Sequence, residues 1–328
     1  MDIFSTFAST RANTRASRKA RASYSKAIRP ATPLCLRPEG DASRRGEPER
    51  SPGKHATMRA VPSATVRLNA PTNPTREIMK GSAWLLGTAV AVRLAEVIVG
   101  RNPLVTALVG AIIVDLGTYR AGVRWDPNPS TDAAPRRRAL AGIGLGLGVA
   151  LVLVAVPLLV AVAAGFAAVS VGSPSGSLGF ALVRAAAVAT RDELLYRGLP
   201  LVVAARAGLS QPFGIGYAVL AGVAALALVP GASWEAFVLA AAQGGLFAVL
   251  WARTRVAWAS VAAHAGYILF AGVGLRGGIV DVTWKSGLLG DGPRARGVVA
   301  LVAAAVAVGL AFVAWKKLPA RAVKTTAA

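Results

Sequence analysis

The chain is poor in the residues that carry redox and metal chemistry. One cysteine, Cys35, and two histidines, His55 and His264, are spread over 328 residues. A single thiol closes no intrachain disulfide. There is no His-Glu-x-x-His pair and no cysteine cluster, so three protein ligands for a zinc ion are lacking and no metal or other cofactor is expected. Acidic side chains are also scarce, 15 against 37 basic ones, which leaves a formal net charge of +22. Aromatic residues make up only 6% of the chain. No basic surface interleaved with aromatics accompanies the charge, so a nucleic-acid partner is not expected. The alternating ten-residue segments of a membrane β-barrel are absent as well.

What remains is apolar: 54% of residues are hydrophobic and the mean hydropathy is +0.53. After residue 80 there are eight apolar segments, at about 82–100, 102–119, 139–169, 181–205, 214–230, 236–252, 256–275 and 297–315. Most approach the ~20 residues that cross a ~30 Å hydrocarbon core. Segment 139–169 is long enough to tilt, or to hold a break at Pro157. The expected fold class is therefore all-α, a polytopic membrane helical bundle of about eight transmembrane helices, with the lipid bilayer as its first partner. Every tryptophan (Trp84, Trp125, Trp234, Trp251, Trp258, Trp284 and Trp315) falls at a segment end or in a loop, as an interfacial belt requires. Basic residues cluster in alternate loops: Arg120, Arg124 and Arg136 to Arg138; Arg206; Arg253 and Arg255; Lys316, Lys317, Arg321 and Lys324. The loop 170–180 is uncharged, 231–235 carries only Glu235, and 276–296 is mixed. By the positive-inside rule both termini face the compartment of insertion.

The first 80 residues hold 16 basic and 6 acidic side chains. From Ile3 to Pro38 there is no acid, while Arg11, Arg15, Arg18, Lys19, Arg21, Lys26, Arg29 and Arg37 alternate with Ser, Thr and Ala. An Arg- and Ser-rich, acid-poor leader without an apolar run matches an organelle transit peptide. The expected organisation is a transit peptide and linker over 1–75 and a transmembrane domain over 76–328. The expected location is a chloroplast membrane, thylakoid or inner envelope. A basic tail retained in the mature protein is the alternative.

The fourth apolar segment contains Asp192-Glu193-Leu194-Leu195-Tyr196-Arg197-Gly198. A charged side chain at the bilayer centre costs roughly 2.5–3.5 kcal/mol, so such a cluster is a functional-site hypothesis by default. Glu193 and Arg197 are one helical turn apart and can neutralise each other. Asp192 then lacks a partner, and His264 is the single histidine of the membrane part. Measured from Arg206 and from Arg255, Asp192 and His264 lie at depths of ~21 Å and ~14 Å from the same face, at ~1.5 Å per residue. A carboxylate can meet an imidazole inside the bundle. Arg93 and Glu96 are spaced for local neutralisation, and Asp115 can reach either the interface or Arg191. Gly142, Gly144, Gly146 and Gly148 sit in an apolar helix and form a small-residue packing face rather than a phosphate cradle.

Asp192-Glu193-x-x-x-Arg197 followed by Gly198 resembles the Glu-Glu-x-x-x-Arg signature of the CPBP family (CAAX protease and bacteriocin-processing, also called Abi). The stretch Arg253 to His264, a basic turn and Trp258 leading into a helix that bears a histidine, is similar to that family's third motif. The resemblance covers about 180–272. It implies an intramembrane endopeptidase acting on prenylated or transmembrane peptides. It assigns Asp192 as general base, Glu193 and Arg197 as a supporting ion pair, and His264 as oxyanion donor. Three positions depart from the family pattern. The first carboxylate is Asp192 rather than Glu. The second-motif helix reads Ala221-Gly222-Val223-Ala224-Ala225, without an imidazole, and Phe247 with Trp251 does not supply one. The residue four after His264 is Ile268. Impaired catalysis is the consequence expected, and a non-proteolytic scaffold or regulator of another organelle membrane protein is the alternative. The 170–180 and 276–296 loops are candidate contact surfaces for such a partner.

Overall fold

The computed structural model describes residues 73–318 except 101, 127–133, 174–176, 230 and 286–291, so the leader read from 1–75 falls almost wholly outside the described residues. The first helix, α1 (Pro74–Val99), starts upstream of the apolar segment because Asn73 caps it and Pro74 opens it. The same device opens α2 (Pro103–Arg120), where the Asn102 side chain accepts from the amides of Leu104 and Val105. Next come α3 (Ala134–Ala163) and a short strand, β1 (Ala167–Val171). Helix α4 (Ser177–Glu193) runs through a π-helical turn, Leu194–Gly198, into α5 (Leu199–Arg206). Then follow α6 (Gln211–Ala227), α7 (Trp234–Thr254) and α8 (Ala257–Leu269). A second π turn, Phe270–Gly274, strand β2 (Val280–Trp284) and α9 (Gly292–Lys317) complete the order.

Each of the eight apolar segments thus contains a helix, and the protein is a multi-pass, all-α membrane bundle. Among the described residues, six helices are long and apolar enough to cross a bilayer. Helix α6, at 17 residues, is shorter, and the α4–α5 run carries the charge cluster. Pro157 lies inside α3 without ending it. The apolar segment 139–169 does not remain helical to its end, however: the helix stops at Ala163 and Ala167–Val171 is extended. This strand pairs antiparallel with β2, Ala167 opposite Trp284 and Val171 opposite Val280. The β-branched residues Val169, Val171, Val280, Val282 and Thr283 favour the extended form once the chain leaves the helix. The pairing brings 167–171 and 280–284 together at one end of the bundle.

Large apolar side chains on α1 face outward, with Val97 80% and Ile98 82% exposed, as a surface bathed in hydrocarbon requires. Inward faces are lined with small residues. A Cβ on Gly146 would meet the Ala259 carbonyl and stand 2.7 Å from the Ala263 nitrogen, and one on Gly142 would lie 3.1 Å from Trp258 Cβ. The third step of this stripe, Ala150, is fully buried and meets Gly266 of α8. Gly142, Gly146 and Ala150 therefore bring α3 and α8 into backbone contact. Gly144 and Gly148 have open space beside them, so only half of the glycine comb is a packing face. The tryptophans divide in the same way. Trp234 is 59% exposed, whereas Trp251 is 7% exposed and packs against Gly198.

Candidate active site

The site is built where α4, α7 and α8 meet. On a helix, successive residues point about 100° apart, so Asp192 and Glu193 face different neighbours. Glu193 turns toward α8 and is fully buried. Its Oε1 lies 2.8 Å from His264 Nδ1, and its Oε2 accepts a hydrogen bond from the Ser260 hydroxyl. Arg197, one turn on, holds Oε1 at 3.6 Å. The i, i+4 pair expected from the sequence is present, and the carboxylate has three side-chain partners rather than one. Ser260 and His264 reach the same carboxylate because they too are one turn apart. That spacing was the available signal for Ser260, which the sequence reading missed.

Asp192 behaves differently. Its Oδ1 accepts from Arg191 Nε at 2.8 Å, and Arg191 continues to Glu96 of α1 at 3.0 Å. Glu96 also binds Arg93 at 2.8 Å, the local pair expected on α1. Asp115, for which two partners were open, accepts instead from the Trp125 indole at 2.8 Å. The direct partner of His264 is therefore Glu193, and that of Asp192 is Arg191. His264 and Arg197 still lie within coulombic reach of Asp192. All four residues singled out in the sequence thus converge. Asp192 Oδ2 makes no hydrogen bond to protein among the described residues, and its side chain is 14% exposed.

The remaining walls come from α6 and α7. His264 stacks on Phe247 with ring centroids 5.2 Å apart. The Arg197 guanidinium fits between two glycines: a Cβ on Gly222 or on Gly244 would stand 3.5 Å from its Nη2. In the 221–225 segment, which has no imidazole, α6 offers Gly222 and the guanidinium lies against it. The π turn passes through Arg197, whose Nη1 reaches back to the Asp192 carbonyl at 3.4 Å. Such widened turns are rare and recur at functional sites.

Chemically, the arrangement separates two carboxylates by environment. Glu193 is enclosed and its lone pairs are engaged, which suits it to orienting His264 through Nδ1 and balancing an imidazolium. Asp192 keeps one oxygen for a water or a substrate proton. The ring edge of His264 opposite Nδ1, Nε2, is the atom left to act on a ligand.

Residues 174–270 match the family model described as Rce1-like, Type II CAAX prenyl endopeptidase Rce1-like. No curated protein and no solved structure matches the chain. The matched stretch contains Asp192, Glu193, Arg197, Ser260 and His264.

Proposed function

Given a membrane bundle that carries an Rce1-like CAAX prenyl endopeptidase domain, we infer that the chain is an intramembrane peptide hydrolase of slow turnover, acting on prenylated or transmembrane peptides. The observation that carries this reading is the buried Glu193–His264 contact at 2.8 Å, with Asp192 on the adjoining face of the same helix. Asp192 Oδ2 takes a proton from water as the water oxygen attacks the scissile carbonyl carbon. The carbonyl oxygen becomes an oxyanion facing His264, whose ring is held by Glu193. Collapse then breaks the C–N bond, and the proton on Asp192 passes to the leaving nitrogen.

Turnover is slow for stated reasons. Asp192 is a methylene shorter than glutamate, and a displacement of ~1 Å in a reacting group costs about 10² in rate. The 221–225 segment brings no second imidazole, and Ile268 donates no hydrogen bond. The leader read over 3–38 supports placing this activity in a chloroplast membrane, which a fluorescent fusion of the first 80 residues would test.

The second reading, a scaffold that binds another membrane protein without cutting it, draws on the Glu96–Arg191–Asp192 chain. Here the nominal base is part of an ion-pair ladder tying α1 to α4. Purified protein with a quenched farnesylated peptide separates the two readings. Slow cleavage lost in Asp192→Asn supports the hydrolase. A folded parent no faster than Asp192→Asn supports the scaffold.

A further inference from the structure

One buried polar group near the site is used by neither the ion pairs nor the chemistry above. Gln243 of α7 is 9% exposed, and it stands in a helix otherwise apolar from Ala236 to Trp251. Its amide nitrogen Nε2 is buried and has no partner within hydrogen-bonding geometry. The Tyr267 phenol of α8 is the polar neighbour of that amide. A buried donor left without an acceptor is destabilising, because it has given up its hydrogen bonds to water for none in the protein. Leu or Met would fill the same volume of an apolar helix without that penalty.

The surroundings say what the donor faces. Gln243 is one turn before Phe247 on α7, and Phe247 stacks on His264. Its neighbour Tyr267 is three residues after His264 on α8. Gln243 and Tyr267 therefore form the layer next to the Phe247–His264 layer, about 5.4 Å along the helix axes. Gly244, beside Gln243, is where α7 meets the Arg197 guanidinium. That group carries a second buried nitrogen, Arg197 Nε, without a partner. An oxygen lying between two donors in adjacent layers can sit about 2.9 Å from each. Ile268 brings no donor to that layer, and Gln243 stands in it on the facing helix.

We propose that Gln243 Nε2 is a second donor to the substrate's scissile carbonyl oxygen, paired with His264 across the α7–α8 interface. The ligand class is a peptide carbonyl, strongest when the carbon is tetrahedral and the oxygen charged. This rests on the hydrolase reading for its role in catalysis, but the binding site is testable without turnover.

The probes are a farnesylated tetrapeptide with a phosphinate replacing the scissile amide and its uncharged methylene isostere. Affinities are measured by competition against a fluorescent farnesyl peptide on full-length protein in detergent. The parent is expected to bind the phosphinate about 10²-fold more tightly than the isostere, the order one oxyanion donor contributes. Gln243→Leu should lose most of that preference while binding the isostere unchanged. Because Leu places an apolar side chain beside the Tyr267 hydroxyl, the pair Gln243→Leu/Tyr267→Phe is run beside it and should show the same loss. Where the parent cleaves substrate, the same variants should lower kcat with KM little changed. No preference in the parent, or one kept by both variants, overturns the proposal; a water at Gln243 and no more would produce that result. A Gln243-dependent preference in a protein that cleaves nothing would retain the proposal and end the hydrolase reading.

Discussion

Replacing Glu193 with glutamine removes one charge and almost no volume, so its cost can be worked from contacts. The Gln side chain still accepts from Ser260 and still meets His264. What it cannot do is balance Arg197, which is 7% exposed and held at 3.6 Å from the Glu193 carboxylate. Breaking a buried pair by removing one partner costs about 3–5 kcal/mol. For a domain of this size 1 kcal/mol lowers Tm by roughly 2–4 °C. Glu193→Gln should therefore melt roughly 6–20 °C below the parent in a detergent thermal-shift assay. Arg197→Met should lose less, because Ser260 and His264 continue to hold the carboxylate. The double variant should lose less than the two single losses added, since each side of the pair is then absent. A double variant whose loss equals that sum within about 0.5 kcal/mol, the spread typical of independent sites, would refute the coupling and reduce the pair to coincidental neighbours.

Three further outcomes follow from the same contacts. Gly146→Ala should destabilise by forcing α3 away from the α8 backbone, while Gly148→Ala, which meets nothing within 4 Å, should be neutral or gain up to about 1 kcal/mol of helix propensity; paired melting curves check the contrast. Ser260→Ala removes a hydrogen bond to a buried carboxylate and should cost about 1.5–3 kcal/mol, read as a Tm loss smaller than that of Glu193→Gln. Arg191→Met cuts the ladder between Glu96 and Asp192, and should loosen α1 against α4, seen as faster proteolysis within α1 in proteoliposomes.

Much of the fold was legible because hydrocarbon imposes a simple rule. Long apolar runs must be helices, and the charged heptapeptide 192–198 stood out against them. The extended pair was not legible. Ala167–Val171 lies on the apolar run of α3, and hydropathy does not distinguish a helix from a strand whose partner, Val280–Trp284, comes so much later, Ala167 opposite Trp284 and Val171 opposite Val280. The site was half legible. Spacing gave Glu193–Arg197 correctly, because i, i+4 neighbours need no tertiary information. It gave the wrong direct partner for Asp192, because the sequence shows which residues share a helix face but not which helix that face meets. Ser260 and Gln243 were passed over for the same reason. A hydroxyl or an amide in an apolar helix gains meaning once the opposing carboxylate or imidazole is located.

The most direct test of the central claim is cleavage of a quenched farnesylated peptide by the purified protein in proteoliposomes, beside Asp192→Asn and Glu193→Gln, each checked for folding. The account predicts slow cleavage by the parent, reduced at least about 10²-fold by Asp192→Asn, the lower range for a general base, and similarly by Glu193→Gln through the misdirected imidazole. A parent that cleaves no faster than either variant, or an Asp192→Asn variant that cleaves as fast as the parent, would contradict it.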